Sequence, residues 1–490
     1  MGFPILSLII FLPLAAGLLI LALPADRKLA AKGIALGAGV LSLVLAVIVY
    51  AGYDLAQGGY QFVERVPWLP ALGISYYVGV NGMSIPLVLL GALVITAGTM
   101  VSWRVDDRPR EFFSFMMFLG ASVQGVFCSL DLFMLFFFYE LAVFPKYLMI
   151  AIWGSPKTRD YGSMKLTLYL FIGSVISLVG VLAMYFAAGQ NTFDMLALEK
   201  AGFSMAFQQT WFLVVFGGFA VLGGIFPFHS WAPDGHVAAP TAISMLLAGV
   251  EMKVGAFAAL RVAIMLLPEG ARYWSLLILA LGTINVVYGA FIALIQTDFK
   301  YVIGFSSVSH MGLVLIGFAT LSRDGLLGAG MQMFSHGIMT ALFFAVVGMV
   351  YDRTHTRAIG ELGGLFQKMP VAAIGFIVAG LVSMGMPGFS GFVAEFPIFM
   401  GAWRVLPLVA IIAILGVIIT AGYILLVMRR VFFGKLPEAH EKSVGDISVM
   451  DKIVVGVLAL LMVAIGVFPS LMTTMIESGV NQILALVGGA

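Results

Sequence analysis

Met384-Gly385-Met386-Pro387-Gly388-Phe389-Ser390-Gly391-Phe392-Val393-Ala394-Glu395-Phe396 lies inside a run, 371–403, in which Glu395 is the one charged residue. About 20 apolar residues cross a bilayer as a helix, so the run is long enough to span. Pro387 has no backbone donor and its glycine neighbours loosen the helix. Such a break is tolerated at membrane depth only where it is buried in protein or lines a wet cavity. The run therefore reads as a broken membrane helix with a carboxylate in its second half. Phe226-Pro227-Phe228-His229-Ser230-Trp231-Ala232-Pro233 breaks an earlier span in the same way. Pro227 and Pro387 lie 160 residues apart. Paired breaks of this kind point to an inverted repeat around a central path. With 57 glycines in the chain, spacing alone leaves that open.

The composition extends this reading to the whole chain. Of 490 residues, 61% are hydrophobic and 10% charged, against about 25% charged in soluble domains. The expected fold class is an all-α polytopic membrane protein of about 14 transmembrane helices. Their expected limits are 3–23, 32–52, 83–103, 112–130, 131–152, 164–187, 208–228, 241–262, 273–295, 301–321, 325–350, 371–403, 405–428 and 453–473. The breaks fall in helices seven and twelve. The expected division is an N-terminal three-helix segment (1–110), two five-helix units (111–270 and 271–430), and a cytoplasmic loop with a C-terminal helix (431–490). The first span lacks the basic start and cleavage site of a secretory signal and is kept as a mature helix.

Seventeen of the 26 basic residues, Lys435, Lys442 and Lys452 among them, fall in one set of loops, and six fall in the other. Positively charged loops stay inside. Both termini are therefore expected on the periplasmic side, and the absence of a targeting segment fits a bacterial plasma membrane. Cys128 is the single cysteine, so neither an intrachain disulfide nor a Cys-clustered metal site is expected. A net charge of +2 gives no reason to expect nucleic acid. With no P-loop, dinucleotide fingerprint or metal-ligand cluster, neither ATP hydrolysis nor hydride transfer is expected in this chain.

Charges inside spans carry the functional signal, because a lipid-facing charge costs about 2.5–3.5 kcal/mol. Glu140 sits among Phe136, Phe137, Phe138, Tyr139 and Leu141. It is either a protonated partner of a neighbouring helix or part of a proton path. Lys253 lies mid-span, and burial disfavours the charged form of an amine. A lysine there can take up and release protons, or it forms a fixed pair with a carboxylate. Glu251 points elsewhere on the helix, and the reading for it is a face toward a neighbouring subunit. His310 and His336, each beside serines, read as a relay or as interhelical hydrogen-bond partners. Glu395 is the candidate far end. Lys146 and Lys165 lie near the basic side, where snorkelling is the favoured reading. His229 and His236 flank a loop with Asp234, which is either a proton entry or a loop held by hydrogen bonds.

Three motifs go further. They are His229-Ser230-Trp231-Ala232-Pro233-Asp234-Gly235-His236, Asp298 through Gly312, and Met384 through Phe396. Together they resemble the antiporter-like membrane subunits of respiratory complex I, over about 80–430. The resemblance implies two inverted five-helix repeats and a hydrated ionisable axis along the membrane. It assigns the key carboxylate to Glu140, the central lysine to Lys253, the connecting histidines to His310 and His336, and the exit carboxylate to Glu395. It also implies that NAD, FMN, iron–sulfur clusters and quinone sit on partner subunits, with no cofactor in this chain. Mrp-type cation/proton antiporter subunits are similar as well, so that reading stays open.

The family usually carries a lysine a few residues before the Pro-x-His of the seventh helix. Here Leu222 stands at that position. A scaffold subunit with an incomplete pathway is therefore a further reading. Alternatively, Lys146 supplies the missing cation. On an ideal helix it would lie about 9 Å along and about 120° around from Glu140, so a kink or a water bridge would be needed.

Overall fold

The computed structural model describes residues 3–441 and 444–488, which leaves Lys442 outside the described residues. Among the described residues, thirteen helices are long and apolar enough to cross a membrane. The first four are Ile5–Ala22, Lys28–Gly52, Ser84–Arg104 and Pro109–Cys128. Leu132–Trp153, Arg159–Ala188, Met205–Gly223 and Thr241–Ile264 follow as spans five to eight. Pro268–Ile295, Phe299–Ala319 and Arg323–Thr354 are spans nine to eleven, and Pro407–Val431 and Val449–Val467 are thirteen and fourteen. The twelfth crossing is the broken pair Pro370–Ser383 and Ser390–Val405. Spans eight, ten and eleven are enclosed almost completely, whereas two, thirteen and fourteen leave about two thirds of their windows at the surface. Lys253, His310 and His336 thus ride on helices enclosed by the rest of the bundle.

Two elements depart from the sequence expectation. Gln61–Leu69 (β1) and Ile74–Val80 (β2) form an antiparallel hairpin before span three, joined through a short turn that ends at Gly73, φ 69°. A Cβ on Gly73 would collide with the Asn191 carbonyl, so this tip needs glycine. The hairpin clamps the start of span five, with Leu130 N–H donating to the Tyr77 carbonyl at 2.8 Å. The fourteenth span ends at Val467 rather than running to 473. Pro469 starts a separate helix, Ser470–Val487. This helix buries Met472, Met475, Ile476, Gly479, Val480, Ile483 and Val487, the 3–4 spacing of one apolar stripe. It rests on the same end of the bundle as the hairpin, where Asn81 Nδ2 donates to Gln482 Oε1 at 2.9 Å.

One local motif occurs twice. Asp131 caps span five by accepting from Met134 N–H, and Asp298 caps span ten by accepting from Lys300 and Tyr301 N–H. Asp131 bridges to Asp194, where Leu132 N–H donates to the Phe193 carbonyl and Met195 N–H to the Leu130 carbonyl. Asp298 bridges to Ala358 with the same pattern, from Phe299 N–H to the Arg357 carbonyl and from Ile359 N–H to the Thr297 carbonyl. Spans five and ten are an odd number of crossings apart, so the two motifs close opposite ends of the bundle.

Candidate functional site

The seventh helix stops at Gly224, φ 78°. The freed backbone is held from span nine. Asn285 Oδ1 accepts from Phe226 N–H at 2.6 Å, and its Nδ2 donates to the Gly224 carbonyl at 2.8 Å. Trp231 Nε1 donates back to the Val221 carbonyl at 2.8 Å. The chain then resumes as a short helix, Trp231–Ala238. Asp234 on it accepts from Lys165 Nζ at 2.7 Å and from the Tyr301 hydroxyl at 2.9 Å. Lys165 is thus tied to the broken helix rather than reaching outward. His229 and His236 are buried with both ring nitrogens unpartnered among the described residues. His229 packs near Phe226 and Tyr288, and His236 near Phe344.

Span eight is wound irregularly around Lys253. π-helical stretches at Leu247–Glu251 and Ala259–Ile264 flank the regular segment Met252–Ala258. Such widened turns are frequent at functional sites. Within the first of them, the Ala248 carbonyl accepts from the Lys253 Nζ, and the side chain is 0% exposed. Among the described residues, no carboxylate lies within ion-pair distance of Lys253. Gly249 and Gly337 bring spans eight and eleven together: a Cβ on Gly337 would lie 2.7 Å from the Gly249 carbonyl. That close approach sets Lys253 within electrostatic reach of His336 and His236.

From His336 the polar groups continue across spans ten and twelve. The His336 and His310 rings lie 5.3 Å apart, and neither His336 nitrogen has a partner among the described residues. His310 Nε2 is 2.9 Å from Ser383 Oγ, and its Nδ1 is 3.2 Å from Gln332 Nε2. The same Nδ1 is 3.3 Å from Glu395 Oε1, and both side chains are 3% exposed. Glu395 gains its room from the break. Gly385 has φ 63°, and a Cβ there would lie 2.7 Å from Glu395 Oε2.

The other end differs from the sequence expectation. Glu140 is half-buried and accepts from the Ser174 hydroxyl. No basic side chain pairs with it among the described residues. Lys146 neither snorkels nor sits on Glu140: its Nζ is 2.6 Å from Glu251 Oε2, with the two side chains 1% and 0% exposed. Glu251 accordingly faces this buried lysine rather than a neighbouring subunit. The reason is the interruption at Ala142 between Leu132–Leu141 and Val143–Trp153, with Pro145 in the second segment. It removes the ideal-helix relation on which the expectation rested.

Sequence reading also missed Lys300. Its Nζ is buried and donates to the Ala239 carbonyl at 2.6 Å and to Ser244 Oγ at 2.9 Å. Lys300 lines a cavity of about 490 Å³ together with Arg104, Ser155, Asp352, His355 and Arg357. In sequence Lys300 is only one basic residue among many at a span end, and no local signal distinguishes it.

A protein-family profile described as "NADH:quinone oxidoreductase/Mrp antiporter, TM" matches residues 129–420. The chain is 37% identical to NAD(P)H-quinone oxidoreductase chain 4 of Gloeobacter violaceus, covering 98% of this chain and 93% of that protein. It is 38% identical to NADH-quinone oxidoreductase subunit M of Rhodobacter capsulatus, covering 98% and 96%. The fold superposes on a chain of respiratory complex I from Thermus thermophilus with a TM-score of 0.91 at 28% identity, covering 99% and 100%. A chain of the Mrp complex from a Dietzia species shares the fold, with a TM-score of 0.87 at 19% identity over the full length of both. By the family match and by these near-full-length relatives, the chain belongs to the NADH:quinone oxidoreductase/Mrp antiporter transmembrane family.

Proposed function

We propose that this chain is the proton-translocating membrane subunit of a complex I-type NADH:quinone oxidoreductase. The observation that carries the reading is a row of ionisable groups through the bundle, all of them buried except the half-buried Glu140. It runs from Glu140 and the Lys146–Glu251 pair through Lys253, His336 and His310 to Glu395. Ionisable groups buried in a membrane bundle are costly and mark ion and proton paths. The nitrogens of His336, without partners among the described residues, and the loose His310–Glu395 contact suit proton exchange better than a saturated structural network would.

The cavity at Lys300 opens on the end rich in basic loops. With His236 nearby, it supports an inlet from that side to Lys253. Each histidine passes a proton by accepting at one ring nitrogen and releasing from the other, and Glu395 receives it at the far end. The twice-used capping bridge supports a division into two inverted five-helix repeats, 111–270 and 271–430. The three-helix segment 1–110 and the tail 431–490 lie outside them. NAD, FMN, iron–sulfur clusters and quinone belong to partner subunits, membrane and hydrophilic, in this proposal. The membrane is a bacterial plasma membrane with both termini on its periplasmic side.

The test is NADH-driven proton pumping in inverted membrane vesicles that carry the whole complex. Lys253→Met is expected to reduce pumping by roughly tenfold or more, with dye-linked NADH oxidation retained. Unchanged pumping would demote the chain to a scaffold. Sodium-dependent transport without NADH would favour an antiporter subunit instead.

A further inference from the structure

Span eight carries a second buried cation that the row of groups leaves unused. Arg261 lies eight residues beyond Lys253, about 12 Å along an ideal helix. It sits inside the second π-helical stretch and is 2% exposed. Lys300 and its cavity stand at the start of the same span, so Arg261 stands at the opposite end. Between the two cations span eight reads Val254-Gly255-Ala256-Phe257-Ala258-Ala259-Leu260, with no polar side chain. Phe257, four residues from each, meets Phe127 of span four edge-on, 5.5 Å between centroids. Both rings are buried.

Arg261 is held by rings rather than by a counter-charge. Its guanidinium carbon lies 4.5 Å from the centroid of the Tyr60 ring and 5.5 Å from that of Phe257. Such contacts attract a cation without neutralising it. Glu199 is within electrostatic reach, but no carboxylate comes within ion-pair distance of Arg261 among the described residues. Its Nη2 is buried and has no hydrogen-bond partner among the described residues. A buried charge left in this state is costly, and an arginine kept only to anchor the hairpin would be expected to saturate its donors. A guanidinium does not release its proton in proteins, so it cannot relay one. What a permanent, poorly neutralised cation in a narrow passage does well is repel protons and other cations.

We propose that Arg261 is an electrostatic barrier that closes span eight beyond Lys253, so that a proton arriving from the Lys300 cavity leaves toward His336 and not straight across. Phe257 and Phe127 keep water out of the same stretch, and the charge behind them turns back a proton that passes the rings. With the direct route closed, crossing runs only through the histidines and Glu395. The inference rests on the proton-translocating reading and adds what keeps that path from leaking.

The test uses the whole complex in inverted vesicles without NADH. Potassium and valinomycin clamp the membrane potential, a pH dye is trapped inside, and an external acid pulse reads passive proton entry. Arg261→Gln is expected to speed entry by roughly tenfold or more over wild type, with dye-linked NADH oxidation retained. Adding Lys253→Met to that variant should remove the extra entry, which a leak around a disturbed subunit would not do. Phe257→Leu thins the aromatic layer but leaves the charge, and it should stay as tight as wild type. That variant keeps the test in force should Arg261→Gln not assemble. Wild-type entry rates in Arg261→Gln, a leak that survives Lys253→Met, or a leak in Phe257→Leu each overturn the proposal. Full NADH-driven pumping by Lys253→Met alone would instead overturn the functional reading beneath it.

Discussion

Glu395 touches His310 Nδ1 at 3.3 Å and lines the space that Gly385 leaves open. Glutamine has the same shape but cannot bind and release a proton in this range. Glu395→Gln should therefore preserve packing and dye-linked NADH oxidation, yet cut pumping by roughly tenfold or more. Paired rate measurements on one vesicle preparation check this, and equal pumping would remove Glu395 from the path. A solitary charge in an apolar run has few explanations, which is why Glu140 and Glu395 stood out from sequence, and Lys253 stood out by lying mid-span. Partners are another matter. Lys146 and Glu251 are 105 positions apart, and no rule of helical spacing connects them. Lys300 was hidden for a similar reason, since its partners, Ala239 and Ser244, lie at and just before the start of span eight, far away in sequence.

At the scale of elements, the breaks in spans seven and twelve were readable because proline and glycine act locally. What holds each break was not, because it comes from elsewhere in the chain. Asn285 satisfies Phe226 N–H and the Gly224 carbonyl together, and it is fully buried. Asn285→Leu would leave both groups without a partner, at a cost of about 1–3 kcal/mol each. The thermal unfolding midpoint of the detergent-solubilised protein should fall clearly, and an unchanged midpoint would show that other contacts hold the break. The hairpin and the last helix escaped sequence reading for a different reason. Val63, Val66 and Trp68 are exposed on β1, which blurs its alternation. The Ser470–Val487 stripe follows a long apolar run with only Pro469 between them.

At the scale of the whole molecule, charge placement sets the direction of the path. Residues 432–448 follow the thirteenth crossing and carry Lys435, whereas Gln57 follows the second crossing, beside the hairpin. By the loop-charge rule the first lies inside and the second outside. The protein offers a clean test, since Cys128 is its one cysteine and is buried. Cysteines placed at exposed Gln57 and Glu438 would then be the accessible thiols. A membrane-impermeant maleimide should label Gln57→Cys in spheroplasts and Glu438→Cys in inverted vesicles. The opposite pattern would turn the molecule over. The Lys300 cavity would then open to the periplasm, and the same row of groups would have to carry protons in reverse. Orientation and pumping direction are therefore one question, and the labelling answers it independently of any activity.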